Sequence, residues 1–113
     1  MIKEKTLLLK QHINSLKKKF LLNEPPESIN DHDFFNEMKE ETKPIFNLLE
    51  QWEVDVQSYL KNYQSKVYPH QIEATKENIK LLILHSYYID IRKRFYMEYY
   101  QSIIYVLDSL LSE

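Results

Sequence analysis

Phe35-Asn36-Glu37-Met38-Lys39-Glu40-Glu41-Thr42-Lys43-Pro44-Ile45-Phe46-Asn47-Leu48-Leu49-Glu50-Gln51-Trp52-Glu53-Val54-Asp55-Val56-Gln57-Ser58-Tyr59-Leu60-Lys61-Asn62-Tyr63 is the stretch on which the fold turns. Phe35, Met38, Thr42, Ile45, Leu49, Trp52, Val56, Tyr59 and Tyr63 step by threes and fours without a slip. Such spacing gathers them on one helix face and lets helices pack side by side at a shallow angle. A second stripe of the same kind, Ile2, Thr6, Leu9, Ile13, Leu16 and Phe20, precedes it. Together they predict an all-α chain, an up-down-up-down antiparallel four-helix bundle.

Pro44 is the conflict inside the decisive stretch. A proline in a helix interior removes a backbone bond and disfavours helical geometry at the residue before it, at a cost of roughly 3 kcal/mol. Two arrangements are open. One long helix runs from about Asp33 to Asn62, kinked near Pro44, or the helix is broken near Glu41 and restarts with Pro44 in its first turn. The apolar phase crosses the proline intact, which favours the continuous helix, because a loop would usually reset it.

Working outward, the first helix is expected over Ile2 to Leu22. Asn23 is a plausible left-handed stop, and Pro25-Pro26 forbids continuation. A polar loop leads to Asp31 or Asp33, either of which can cap the second helix. Gln64 to Tyr68 form a turn, and Pro69 suits an early position of the third helix, with Ile72, Ile79, Leu82, Ile83 and Ser86 facing inward to about Tyr88. Asp90 is the expected cap of a fourth helix from about Ile91 to Leu111, with Phe95, Tyr99, Ser102, Ile103, Val106 and Leu110 facing inward.

Composition narrows the class. With 113 residues, 43% hydrophobic and 28% charged, the chain has room for one domain, residues 1–113, with one core. A net charge of −2 favours neither nucleic acid nor a membrane surface. No apolar run approaches the roughly 18 residues of a membrane span, and the N-terminus lacks a signal-peptide pattern. The absence of cysteine removes thiolate chemistry and fits a cytoplasmic location. The absence of glycine is more telling, because phosphate-cradling loops, Rossmann turns and nucleophile elbows depend on it. Thirteen lysines against two arginines hint at an AT-rich bacterial genome.

No chemistry-bearing constellation stands out. Di-metal bundles use Glu-x-x-His, and only the reverse order, His70-x-x-Glu73, occurs. His12, His32 and His85 are scattered singles, so no metal or cofactor is expected. Ser86 and Ser102 interrupt apolar faces without a base at a convincing spacing, so no catalytic residue is assigned either. Glu73 and Glu77 alternate with Lys76 and Lys80 as a solvated, ion-paired face does. Lys17-Lys18-Lys19 suits a helix C-terminus, where cations complement the dipole. Arg92-Lys93-Arg94 sits at a helix start, where they do not, which points to an ion pair between helices or an anion there. Nine tyrosines, six of them from Tyr87 to Tyr105, are too many for one core face. Tyr96 and Tyr100, with Arg92 and Arg94, are therefore the candidate contacts for a protein partner or for self-association through the fourth helix.

Asp33-Phe34-Phe35, Trp52, Gln71-Ile72-Glu73-Ala74, Ser86-Tyr87 and Lys93-Arg94-Phe95, followed by Ser102, Tyr105 and Leu107, resemble the YppE-like proteins, an uncharacterised group from Firmicutes. The resemblance runs from about Asp33 to Leu107 and is most specific over Gln71 to Ala74 and Lys93 to Leu107. It implies a compact cytoplasmic four-helix bundle and carries no activity, cofactor or catalytic residue. The family pattern has a proline where Glu40 aligns, whereas here it falls at Pro44, and the turn before Lys93 is one residue shorter. The leading expectation is a non-enzymatic protein acting through protein contacts. A histidine-based ligand or metal bundle, or a weak anion or nucleic-acid binder through Arg92 to Arg94, is the alternative.

Overall fold

A computed structural model places four helices in the chain, α1 (Ile2–Leu22), α2 (His32–Asn62), α3 (Pro69–Tyr87) and α4 (Lys93–Leu111). Residues 2–22, 32–88 and 91–113 are described, with no account of the side chains of 32–34. Asn23, Pro25-Pro26, the loop to Asp31, and Asp90 lie outside the described residues. Asp33 falls inside α2, as its second residue.

Cross-helix contacts fix the directions. Lys5 pairs with Asp55, and Trp52 donates to Thr6 at 3.0 Å, so the start of α1 lies beside the end of α2. Tyr87 reaches Glu41, Lys76 reaches Glu53 and Gln57 reaches the Pro69 carbonyl, which sets α2 against α3 in reverse. Ser86 meets Tyr96 across α3 and α4. Lys10 with Asp108 and Asn14 with Tyr100 set α4 antiparallel to α1. The topology is up-down-up-down. Among the described residues α1 and α3 also touch, while the backbones of α2 and α4 do not approach. The bundle is therefore rhombic in section, with α2 and α4 at its outer corners.

Both predicted stripes face the core. Thr6, Leu9, Ile13, Leu16 and Phe20 of α1 are buried, as are Met38, Thr42, Ile45, Leu49, Trp52 and Val56 of α2. The α2 stripe overshoots at each end, where Phe35 and Tyr63 are exposed. The reason is length: α2 has 31 residues and α3 only 19. At about 1.5 Å per residue, the ends of α2 outrun the helices that could cover them.

The helix α2 runs unbroken through Pro44. Glu40, Lys43 and Pro44 are all exposed, so the Glu40 carbonyl that loses its backbone donor can turn to water. One turn away, the buried Thr42 hydroxyl donates to the Met38 carbonyl at 2.7 Å. Replacing Pro44 with alanine should raise stability by about 2 kcal/mol, the helix-interior penalty less the entropy returned to the unfolded chain. Urea unfolding measures this, and a lower midpoint would show that the core packing depends on the proline.

Helix α3 begins where expected. The Gln71 side chain accepts the Tyr68 N–H at 2.8 Å, and the Gln71 N–H bonds back to the Tyr68 carbonyl. This satisfies donors that a helix start leaves unpaired. In α4 the expectation slips in two ways. The helix starts at Lys93, with Arg92 as its N-cap, not near Ile91. Its inward face holds Tyr96, Ile103, Val106, Leu107 and Leu110, whereas Phe95 and Ser102 point outward.

Candidate interaction surface

The N-cap Arg92 is extended, at φ −64° and ψ 139°, with no side-chain cap bond. Its carbonyl accepts the N–H groups of Phe95 and Tyr96 at 3.0 and 3.2 Å. That start orients α4 so that its wide face away from α2 carries Arg94, Phe95, Glu98, Ser102, Tyr105 and Asp108, all exposed. Phe95 is 44% exposed and Tyr105 69%. On the flank toward α3, Ala74, Asn78, Ser102 and Tyr105 line an open groove of about 420 Å³. At the far end of the bundle, Ile2, Lys3, Asp55, Tyr59, Tyr63 and Leu110 line a second cleft of about 560 Å³. Beside that cleft the Glu113 carboxylate accepts the Ser65 hydroxyl at 2.5 Å and the Lys66 N–H at 2.9 Å. Burial alone would raise that carboxyl, but these bonds outweigh it and hold it below the ordinary carboxylate value.

The four nominated contact residues separate. Tyr96 is not a surface residue: it is fully buried, stacked on Phe20 with ring centroids 3.7 Å apart, and its hydroxyl meets Ser86 at 2.6 Å. Both polar and apolar needs of the ring are met inside, so burial wins. Tyr100 is half-buried. It donates to Asn14 at 2.6 Å and lies under the Lys17 ammonium, 4.5 Å from the ring centroid. Arg92 and Arg94 are exposed, and Arg94 reaches Glu98 at 3.5 Å within the same helix.

Phe95 and Tyr105, the apolar surface of this face, were not among the nominated contacts. A signal for the α4 register exists in the sequence. Tyr96 heads the heptad series Tyr96, Ile103, Leu110, whereas Phe95 heads Phe95, Ser102, Ser109.

Several of the remaining candidates have structural partners. Lys19 sits over the Tyr87 ring at 4.5 Å, so the Lys17–Lys19 run braces α1 against aromatic rings of α3 and α4. Burial and the Glu41 bond raise the Tyr87 hydroxyl well above an ordinary phenol. Lys76 bridges to Glu53 and Glu50 of α2, and Lys80 pairs with Glu77 within α3. Ser86 is buried and donates to the Leu82 carbonyl, whereas Ser102 is exposed. His85 stacks on Tyr99, His70 stacks on Tyr68 and His12 is half-buried. The His32 side chain lies outside the described residues. Among the described residues no three His, Asp or Glu side chains converge, and no helix is long and apolar enough to cross a membrane.

Residues 6–113 match the model of a bacterial domain of unknown function, DUF1798. The crystal structure of YppE from Bacillus subtilis aligns at a TM-score of 0.85 and 25% identity, covering 99% of this chain and 90% of that one. Comparison with curated proteins gives no match.

Proposed function

Since this chain belongs to the bacterial domain family of unknown function DUF1798, we propose that it is a small non-enzymatic cytoplasmic bundle acting through protein contacts on the outer face of α4. The observation that carries this is the pair Phe95 and Tyr105, 44% and 69% exposed on one face of a helix whose opposite face is packed. Tyrosine and phenylalanine bring large, rigid contact area at low entropic cost, and arginines such as Arg92 and Arg94 commonly flank such anchors. The buried hydroxyls support a structural role for the interior. Thr6, Thr42 and Ser86 each donate to a carbonyl of their own helix, so their protons hold the fold.

Capture from the native bacterium with the full chain tests this, using wild type beside Phe95→Glu combined with Tyr105→Glu. Both positions are outside the core, so the variant should unfold within about 0.5 kcal/mol of wild type. The expected result is at least about tenfold less retained partner, or loss of self-association, in the variant. An unchanged capture profile and oligomeric state would overturn the proposal.

A further inference from the structure

The turn between α2 and α3 is held by side chains, and from this we infer that Glu113, just past the end of α4, is its latch. The Glu113 carboxylate keeps the turn closed, and neutralising it opens the turn locally while the four-helix core stays folded. Three consecutive backbone donors show the dependence. The Lys66 N–H donates to Glu113 Oε1 at 2.9 Å, the Val67 N–H to Ser65 Oγ at 3.0 Å and the Tyr68 N–H to Gln71 Oε1 at 2.8 Å. Each goes to a side-chain oxygen, so the turn closes only while those oxygens are in place.

Glu113 governs two of the three. It accepts the Lys66 N–H directly, and it also accepts the Ser65 hydroxyl at 2.5 Å. That second bond orients Ser65, whose oxygen then receives the Val67 N–H. Linked bonds of this kind reinforce one another, and a charged acceptor makes them roughly twice as strong as a neutral one. The buried Val67 side chain seats the turn on the core. Ser65 and Gln71 are local and uncharged, whereas Glu113 lies 48 and 47 positions from Ser65 and Lys66 and is the acceptor that titrates.

The titratable groups that face the Glu113 carboxylate are the Tyr59 hydroxyl from α2 and the Lys66 ammonium from the turn; among the described residues none of α1 or α3 acts on it. Burial opposes its charged form, but Ser65, the Lys66 N–H, Tyr59 and the Lys66 ammonium together outweigh that and hold it below the ordinary carboxyl value of about 4.3. The second oxygen, Oε2, is buried with no hydrogen-bond partner among the described residues. A proton added there leaves Oε1 an uncharged, weaker acceptor. A folded value below the unfolded one gives a latch fully shut above about pH 4.3 and released as pH falls through the folded value. The latch also joins two walls of the neighbouring cleft, Tyr59 of α2 and Leu110 of α4, so its release loosens that cleft too.

The test compares the full-length wild type with Glu113→Gln, which keeps the shape and removes the charge. Trypsin near neutral pH, with mass spectrometry to place the cuts, reads the turn after Lys66 and, as control, helix α3 after Lys76. In Glu113→Gln the cut after Lys66 should come about tenfold faster, since two bonds to a charged acceptor become bonds to a neutral one. The cut after Lys76 should stay within about twofold of wild type, because α3 remains packed. In two-dimensional NMR the wild-type Lys66 amide signal should shift with a midpoint below about pH 4.3, and the Glu113→Gln signal should show no such step. A wild-type rate of cutting after Lys66 in the variant, or a wild-type Lys66 amide with no midpoint below about pH 4.3, would overturn the latch. Cuts after Lys66 and Lys76 that speed up together would overturn it as well, because the opening would then be that of the whole bundle.

Discussion

Replacing Trp52 with alanine is expected to lower the unfolding free energy by about 3–5 kcal/mol. Trp52 is fully buried and is the largest of the fully buried side chains. It stands in the seam of α2, and its indole N–H donates to Thr6 Oγ1 of α1 at 3.0 Å. Thr6 in turn donates to the Ile2 carbonyl at 2.6 Å. One hydroxyl thus accepts from the neighbouring helix and donates to its own, and the buried indole donor is satisfied. Alanine removes the ring and leaves a cavity that surrounding Leu and Ile side chains can only partly fill. For 113 residues the loss corresponds to a fall in Tm of roughly 12–20 °C. Set against a typical total of about 5–15 kcal/mol, that is enough to bring the chain near the edge of folding. Trp52→Phe should cost less, about 1–2 kcal/mol, because most of the volume stays and the indole donor leaves with its partner still bonded to Ile2. Circular dichroism in urea measures both. A loss below about 1 kcal/mol for the alanine variant would show that the α1–α2 seam is not a principal source of stability.

The seams that place Trp52 were legible in the sequence for a physical reason. A run of threes and fours sustained over many turns leaves one helical phase, so α1 and the middle of α2 follow from the residues alone. The exposure of Phe35 and Tyr63 does not follow, because a stripe carries no information about where the neighbouring helices stop. Pro44 was legible once its phase was weighed above its propensity. The outward turn of Phe95 was legible only from the heptad series that Tyr96 heads with Ile103 and Leu110, since Phe95 and Tyr96 are adjacent aromatics, and a hydroxyl partner adds to what favours Tyr96 inside. That partner, Ser86, lies on another helix and becomes visible once α3 and α4 are paired. The same holds for Lys17 over Tyr100, 83 positions apart. The candidate contact face was half legible. Arg92 and Arg94 stood out as cations at the wrong end of a helix, while Tyr105 was marked by the tyrosine excess and the family resemblance without being chosen over Tyr96 and Tyr100.

Tyr96 should be the second site where alanine costs about 3–5 kcal/mol, and its hydroxyl share can be measured separately. The ring is fully buried and stacked on Phe20 at 8° between planes. Ser86 has one proton, and its bond to the Leu82 carbonyl at 2.6 Å uses it. The 2.6 Å contact between Ser86 and Tyr96 therefore has the phenol as donor. This predicts an asymmetry. Tyr96→Phe removes the donor and leaves Ser86 bonded to Leu82, so it should cost about 1 kcal/mol. Ser86→Ala strands the buried phenol, so it should cost more, about 1–3 kcal/mol. The double variant should cost less than the sum of the two, because both ends of the bond leave together. Burial pushes the Tyr96 phenol up to about 12. A folded value above the unfolded one of about 10 gives stability that is complete below pH 10 and lost as pH rises toward 12. Tyr96→Phe should make the alkaline limb of the stability profile shallower. Equal single-variant losses that add in the double variant would mean that the two hydroxyls are not bonded in this sense, and that shape alone holds the ring.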